Sequence, residues 1–156
     1  MTDFKKELEH GFNIRALSWK EPYASLMLHQ KIETRTWYTN YRGLVLICTS
    51  KKMYNTQQIL DISGENQFKR IFDILDDGSF LNTIGMHRGH AIAIGKLIDC
   101  RIMYKKDEDD CFVQHDHNLL WCHVYADVQA IKPFEWKGSQ GWSKVSKEII
   151  DKIEFL

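Results

Sequence analysis

Leu44-Val45-Leu46-Ile47-Cys48-Thr49 shows no polar alternation before its last residue, and is bounded by Gly43 and by Ser50-Lys51-Lys52. An apolar run this short, with β-branched Val45, Ile47 and Thr49, reads as a strand rather than a helix. The lack of alternation buries both of its faces. The rest of the chain must therefore cover this strand from two sides.

The other elements follow from pattern and punctuation. Asn13–Ser18, Gly89–Met103 with a bend at Gly95, and Asn118–Ile131 with a bulge read as strands. Lys31–Trp37 alternates Ile32, Thr34 and Thr36 with Glu33, Arg35 and Trp37, a strand with two chemically different faces. Residues 3–10 suit a short helix ended by Gly11, and Glu21–Leu28 a helix with Pro22 near its start. Residues 54–76 read as helix broken at Ser63-Gly64 and ended by Asp76-Asp77-Gly78-Ser79. Ser146–Ile153 reads as a closing helix. Thr39–Gly43, Tyr104–Asp110 and Pro133–Trp142 are expected as turns or loops. Strands with helices inserted irregularly predict an α+β fold. So few strands favour a small closed or half-closed β-barrel with peripheral helices over a sandwich. The 156 residues suit a single domain, 1–156.

Charge narrows the range of partners. The formal net charge is zero, yet residues 1–54 hold nine Lys and Arg against five Asp and Glu. A neutral chain is poorly suited to wrapping long duplex nucleic acid, which relies on many phosphate contacts. A local basic cleft for a few nucleotides fits better. No apolar run approaches the roughly 20 residues of a membrane span, so no membrane partner is expected. Met1 is followed by the polar TDFKKELEH, and the four cysteines form no C-x-x-C pair. The expectation is a cytoplasmic protein with reduced thiols.

Ala16 to Lys52 concentrates the chemistry. On a strand, Lys31, Glu33, Arg35 and Trp37 point to one face. Lys31 and Arg35 can hold a phosphate or carbonyl. Glu33 can accept from an exocyclic amine or, paired with Lys31, serve as general base. Trp37 can stack on a base. A solvated Lys–Glu–Arg charge ladder would use the same residues. Trp19, Lys20 and Tyr23 can form the opposite wall or be ordinary core and rim residues. Ser50 and Lys51 leave a buried strand where polar side chains often reach a cleft. Trp142, in a loop with Gly138 and Gly141, is a lid or a plug for the barrel end. His87 and His90 flank Arg88-Gly89 at a strand start, in reach of a ligand or simply on a surface loop. Cys111, His115, His117, Cys122 and His123 do not follow zinc-ligand spacing, so no metal is expected. No P-loop, dinucleotide fingerprint or G-x-S-x-G occurs, and no cofactor is expected.

Several of these pieces occur in a known order. Ala16-Leu17-Ser18, Glu21-Pro22-Tyr23-Ala24, Glu33-Thr34-Arg35-Thr36-Trp37, Tyr41-Arg42-Gly43 and Ser50-Lys51-Lys52 follow one another. Ala93-Ile94-Gly95-Lys96-Leu97-Ile98-Asp99 and Gly138-Ser139-Gln140-Gly141-Trp142 come later. Over about residues 14–145 the chain resembles an ASCH domain of the PUA-like superfamily. The family has a lysine three residues before the Glu and a Gly two before that lysine. Here Gln30 and Leu28 hold those positions, and Lys31 stands two before Glu33.

The resemblance implies a PUA-like mixed barrel that binds RNA or a modified nucleotide or nucleoside. Its ligand-binding candidates are Trp19, Lys20, Tyr23, Lys31, Glu33, Arg35, Trp37, Ser50, Lys51 and Trp142. It also implies a second possibility, a hydrolase of acylated nucleosides or a ribonuclease, with Lys31 and Glu33 as catalytic candidates. The family's amidohydrolases use a Thr where this chain has Glu33. A protein-interaction domain is the third reading.

Overall fold

The computed structural model describes residues 3–10, 13–75, 87–116 and 118–156. The expected helix end at Gly11, the Asp76–Ser79 stop and His117 lie outside the described residues. The apolar run forms β3 (Gly43–Thr49), and its six residues from Leu44 to Thr49 are buried. Its neighbours are β1 (Ile14–Trp19), parallel to it, and β4 (His90–Ile102), antiparallel. β5 (Trp121–Glu135) pairs antiparallel with β4, and β2 (Glu33–Arg35) with β5. β6 (Ser143–Lys144) completes a six-stranded mixed sheet of order β2-β5-β4-β3-β1-β6. The fold is α+β, as expected.

The sheet curls strongly. Flat strands about 4.8 Å apart would leave β2 and β1 nearly 20 Å from each other. Arg35 of β2 instead donates from Nη2 to the Ser18 carbonyl of β1 at 3.0 Å, and its guanidinium lies 4.9 Å from the centre of the Trp19 ring. The far strands thus face each other across a half-barrel. Gly95 contributes to the bend. A Cβ there would stand 3.0 Å from Val128 Cγ2 and 3.1 Å from Tyr125 Cδ1, and the β4–β5 register shifts at this point.

The two faces of the sheet carry separate cores. One gathers Leu17, Trp19, Ile47, Ala93, Leu97 and Tyr125 with α2 (Tyr23–Met27) and α3 (Thr56–Leu75). The other gathers Ile14, Ala16, Leu44, Leu46, Ile94 and Ile131 with α1 (Phe4–Glu9). The break in α3 falls at Gly64, whose φ of 79° and ψ of 165° are not helical. The Gln114 N–H caps the Ile62 carbonyl there at 3.2 Å.

β5 is a central strand whose outer edge is covered in pieces. β2 pairs only with Trp121–His123. The Gln30 side chain then stands in for a strand, donating from Nε2 to the Val128 carbonyl at 3.2 Å and accepting from the Val128 N–H at 3.4 Å. Finally the last residues return. Lys132 N–H donates to the Glu154 carbonyl at 2.8 Å, and Leu156 N–H to the Ala130 carbonyl at 3.2 Å.

Four elements differ from expectation. β2 is shorter than Lys31–Trp37, because the Lys31 N–H bonds the Leu26 carbonyl at the end of α2 and the Ile32 N–H bonds the Asp110 carbonyl. Tyr104–Asp110 is not a plain turn. A 3-10 turn (Lys105–Asp107) leads into α4 (Glu108–Cys111), organised by Asp107, which accepts two bonds from Arg101 and one from the Tyr104 N–H. Pro133 does not open a loop, since β5 runs on to pair Phe134 with Ala91 and Glu135 with His90. The closing helix, α5, is confined to Lys147–Ile150 behind its Ser146 cap. Among the described residues, no helix is long and apolar enough to cross a membrane.

Candidate functional site

The curl leaves a cleft of about 490 Å³ between the carboxyl end of β1 and strand β2. β1 supplies Ser18, Trp19 and Lys20; α2 supplies Tyr23; β2 and its exit supply Glu33, Thr34, Arg35 and Trp37. Ser50 and Tyr54 enter from the exit of β3. The α3 kink brings Ile62, the chain after α4 brings Val113, and the loop before β6 brings Ser139, Gln140 and Gly141.

At the floor sits a triad of charges. Glu33 Oε1 accepts from Lys31 Nζ at 3.0 Å and from the Thr34 N–H at 2.9 Å, and Glu33 Oε2 lies 3.1 Å from Arg35 Nη2. Lys31 Nζ also donates to the Ile32 carbonyl at 2.9 Å, and its side chain has no exposure. Burial alone would push the Glu33 carboxyl up. Lys31 and Arg35, with hydrogen bonds from Lys31 and the Thr34 N–H, outweigh it and hold the carboxyl below its ordinary value. One anion between two cations leaves the floor with a net positive charge. Arg35 is largely buried: its Nη2 serves Glu33 and Ser18, while its buried Nε has no hydrogen-bond partner among the described residues.

Aromatic rings wall the cleft. Trp37 stands edge-on to His123 at 4.9 Å and to Trp142 at 5.9 Å. Trp142 leans on Tyr41 at 5.1 Å and donates from Nε1 to Thr39 Oγ1 at 3.3 Å. The His123 Nε2–H donates to the Trp37 carbonyl at 3.0 Å, and burial pushes this imidazole's pKa down, so it stays neutral. Across the cleft Tyr23 and Tyr54 meet at 5.7 Å, and Tyr23 shares a 2.5 Å hydrogen bond with the Ser63 hydroxyl at the kink. Lys20 Nζ lies 5.0 Å from the Tyr54 ring centre.

Of the ten sequence candidates, seven line the cleft: Trp19, Lys20, Tyr23, Glu33, Arg35, Trp37 and Ser50. Lys31 does not; it lies beneath Glu33, drawn there by the carboxylate and by the Tyr23 ring at 5.6 Å. Lys51 does not line the cleft and packs over Gly89. Trp142 braces Trp37 instead of lining the cleft itself. Sequence reasoning missed Ser18, Thr34, Tyr54, Ile62, Val113 and Ser139–Gly141. Tyr54 and the glycine loop sit beside residues that were singled out, whereas Ile62 and Val113 carry no signal beyond apolarity.

Among the described residues no three His, Cys, Asp or Glu side chains converge on a point fit for a metal ion. Cys111 and Cys122 are buried free thiols with sulfurs 3.8 Å apart, and the His123 ring is committed to Trp37. No protein-family model matches this chain, and no curated protein matches it either.

Proposed function

We propose that the cleft binds RNA or a modified nucleotide, taking one base between its aromatic walls, in an ASCH-type domain of the PUA-like superfamily. Arg35 carries the reading. Its guanidinium is fixed by Glu33, Ser18 and Trp19, yet keeps an unpaired Nε–H and lines a cleft walled by Trp19, Trp37, Tyr23 and Tyr54. A flat ligand with carbonyl or anionic acceptors suits that combination, because aromatic faces accept any base and a held cation accepts its oxygens. The order of the ASCH-like segments agrees with it, since the first, second, third, fifth and last of them supply cleft residues. Four free thiols are in keeping with a reducing, cytoplasmic setting.

The hydrolase reading finds less support. Lys31 and Arg35 hold the Glu33 carboxyl below its ordinary value, which makes it a weaker base, and the Lys31 amine is fully buried and already donates twice. A general base works best with its pKa near the operating pH.

Arg35→Ala is expected to weaken binding of a short single-stranded RNA about tenfold or more, the scale of one hydrogen bond to a charged group. Fluorescence anisotropy measures it. Unchanged affinity in a folded variant would remove the proposed site.

A further inference from the structure

The cleft opens at the carboxyl ends of β1 and β3, and the same end of the sheet carries a second feature. Residues 50–54 after β3 and 87–90 before β4 read SKKMY and HRGH, with no acidic residue. The two segments are locked together. The Thr49 hydroxyl donates to the His87 carbonyl and accepts from the His90 N–H at 3.1 Å. The Gly89 N–H donates to the Thr49 carbonyl at 3.0 Å, and Arg88 Nη1 to the Lys51 carbonyl at 3.2 Å. The Ser50 N–H in turn bonds the Trp19 carbonyl in the cleft wall at 2.8 Å. A built ledge therefore runs outward from the cleft mouth.

Lys51, Lys52 and Arg88 on this ledge are exposed, and none has a carboxylate partner among the described residues. Glu135, opposite His90 across the sheet, is the acidic residue that the adjoining strand brings up. Like charges held side by side repel one another and favour an anionic partner. A free nucleoside would fill the cleft and leave these cations unused. A chain of phosphates would use both.

We propose that the ligand is a single-stranded nucleic-acid chain, with one base in the cleft and its sugar–phosphate backbone leaving over Lys51, Lys52 and Arg88. This rests on the reading of the cleft as a base site and adds the length and path of the ligand. The aromatic walls favour a nucleic acid over a phosphopeptide, whose anions would find the ledge but whose side chains lack a base's planar face.

The test compares a labelled RNA octamer, the nucleoside of its preferred base, and a phosphopeptide of equal charge. The octamer is expected to bind about tenfold or more tighter than the nucleoside at low salt, and excess nucleoside to displace it. In the Lys52→Gln, Arg88→Gln double variant the octamer's log–log salt slope should fall by about 1.4, at roughly 0.7 for each phosphate no longer neutralised. Nucleoside affinity should stay that of the parent. Equal affinity of octamer and nucleoside, or an unchanged salt slope, overturns the path while leaving the cleft reading intact. A phosphopeptide that binds as tightly as the octamer also overturns it. Failure of both octamer and nucleoside to bind overturns the cleft reading with it.

Discussion

Glu33 and Glu21 are both buried carboxyls, and their surroundings drive them in opposite directions. Glu33 lies between two cations, so removing its charge leaves Lys31 buried without a counter-ion. Glu33→Gln is expected to cost about 3 kcal/mol in urea unfolding, the scale of a broken buried ion pair. Glu21 forms no ion pair among the described residues. Burial pushes its carboxyl up to about 7 from the ordinary 4.5, despite hydrogen bonds from the Ser25 hydroxyl at 2.6 Å and the Ser25 N–H at 2.7 Å. The folded state therefore holds this proton more tightly than the unfolded chain, and stability should fall as pH rises from about 4.5 to about 7. Glu33 acts in the other direction. Its depressed value gives stability that is present above the ordinary carboxyl pKa and lost as pH falls through the folded value. A Gln at position 21 can accept from the Ser25 N–H and donate to the Ser25 hydroxyl. Glu21→Gln should thus match the parent near pH 5 and be more stable near pH 8, by up to about 3 kcal/mol. Chemical unfolding at the two pH values measures this, and an equal response at both would remove the assignment.

Elements place these residues, and the kinked α3 matters most for the cleft. Its first half ends where Ser63 meets Tyr23 and Ile62 reaches the cleft; its second half packs Ile71 and Leu75 into the core. The positive φ at Gly64 permits the change of direction, and a Cβ there would run into the Gln114 side chain. Gly64→Ala should destabilise the fold by about 1–3 kcal/mol, read as a lower Tm. An unaffected Tm would mean that the chain can pass this point as ordinary helix. The break was legible as Ser-Gly inside a helical pattern, and β3 was legible from its unbroken apolar run. The length of β2 was not. Alternation over Lys31–Trp37 describes which way side chains point on a regular strand, and it holds in part: Glu33, Arg35 and Trp37 line the cleft, but Thr34 joins them and Lys31 does not. Pairing depends on where partners lie, and the Lys31 and Ile32 N–H groups find theirs outside the sheet. The burial of Lys31 was equally hidden, because a lysine reads as exposed until its counter-ion is known to be buried. Ile62 and Val113 reach the cleft from segments far apart in the chain, and neither their type nor their spacing marks them.

At the scale of the whole molecule, the curl makes the cleft and also sets a problem of edges. Arg35 bridges from β2 to β1, so the half-barrel is closed at the cleft by side chains rather than by backbone ladder. The long outer edge of β5 is masked by three unrelated devices: the three residues of β2, one glutamine amide, and the returning tail. Only the first was anticipated, as a strand; an amide posing as a strand has no sequence signature. Glu154 and Leu156 have exposed side chains, while Phe155 is half-buried against the core on the α1 side of the sheet. Removing residues 154–156 should lower the monomer's Tm by several degrees through the loss of Phe155, and also give self-association that rises with protein concentration in light scattering. A shortened protein that stays monomeric at high concentration would count against this. Bare amides and carbonyls at positions 130–132 would seek the same stretch on a sister molecule, and each such union would present the next vacancy. The tail accordingly does two things: Phe155 adds to the packing of its own barrel, and its main chain keeps neighbours from zipping onto it.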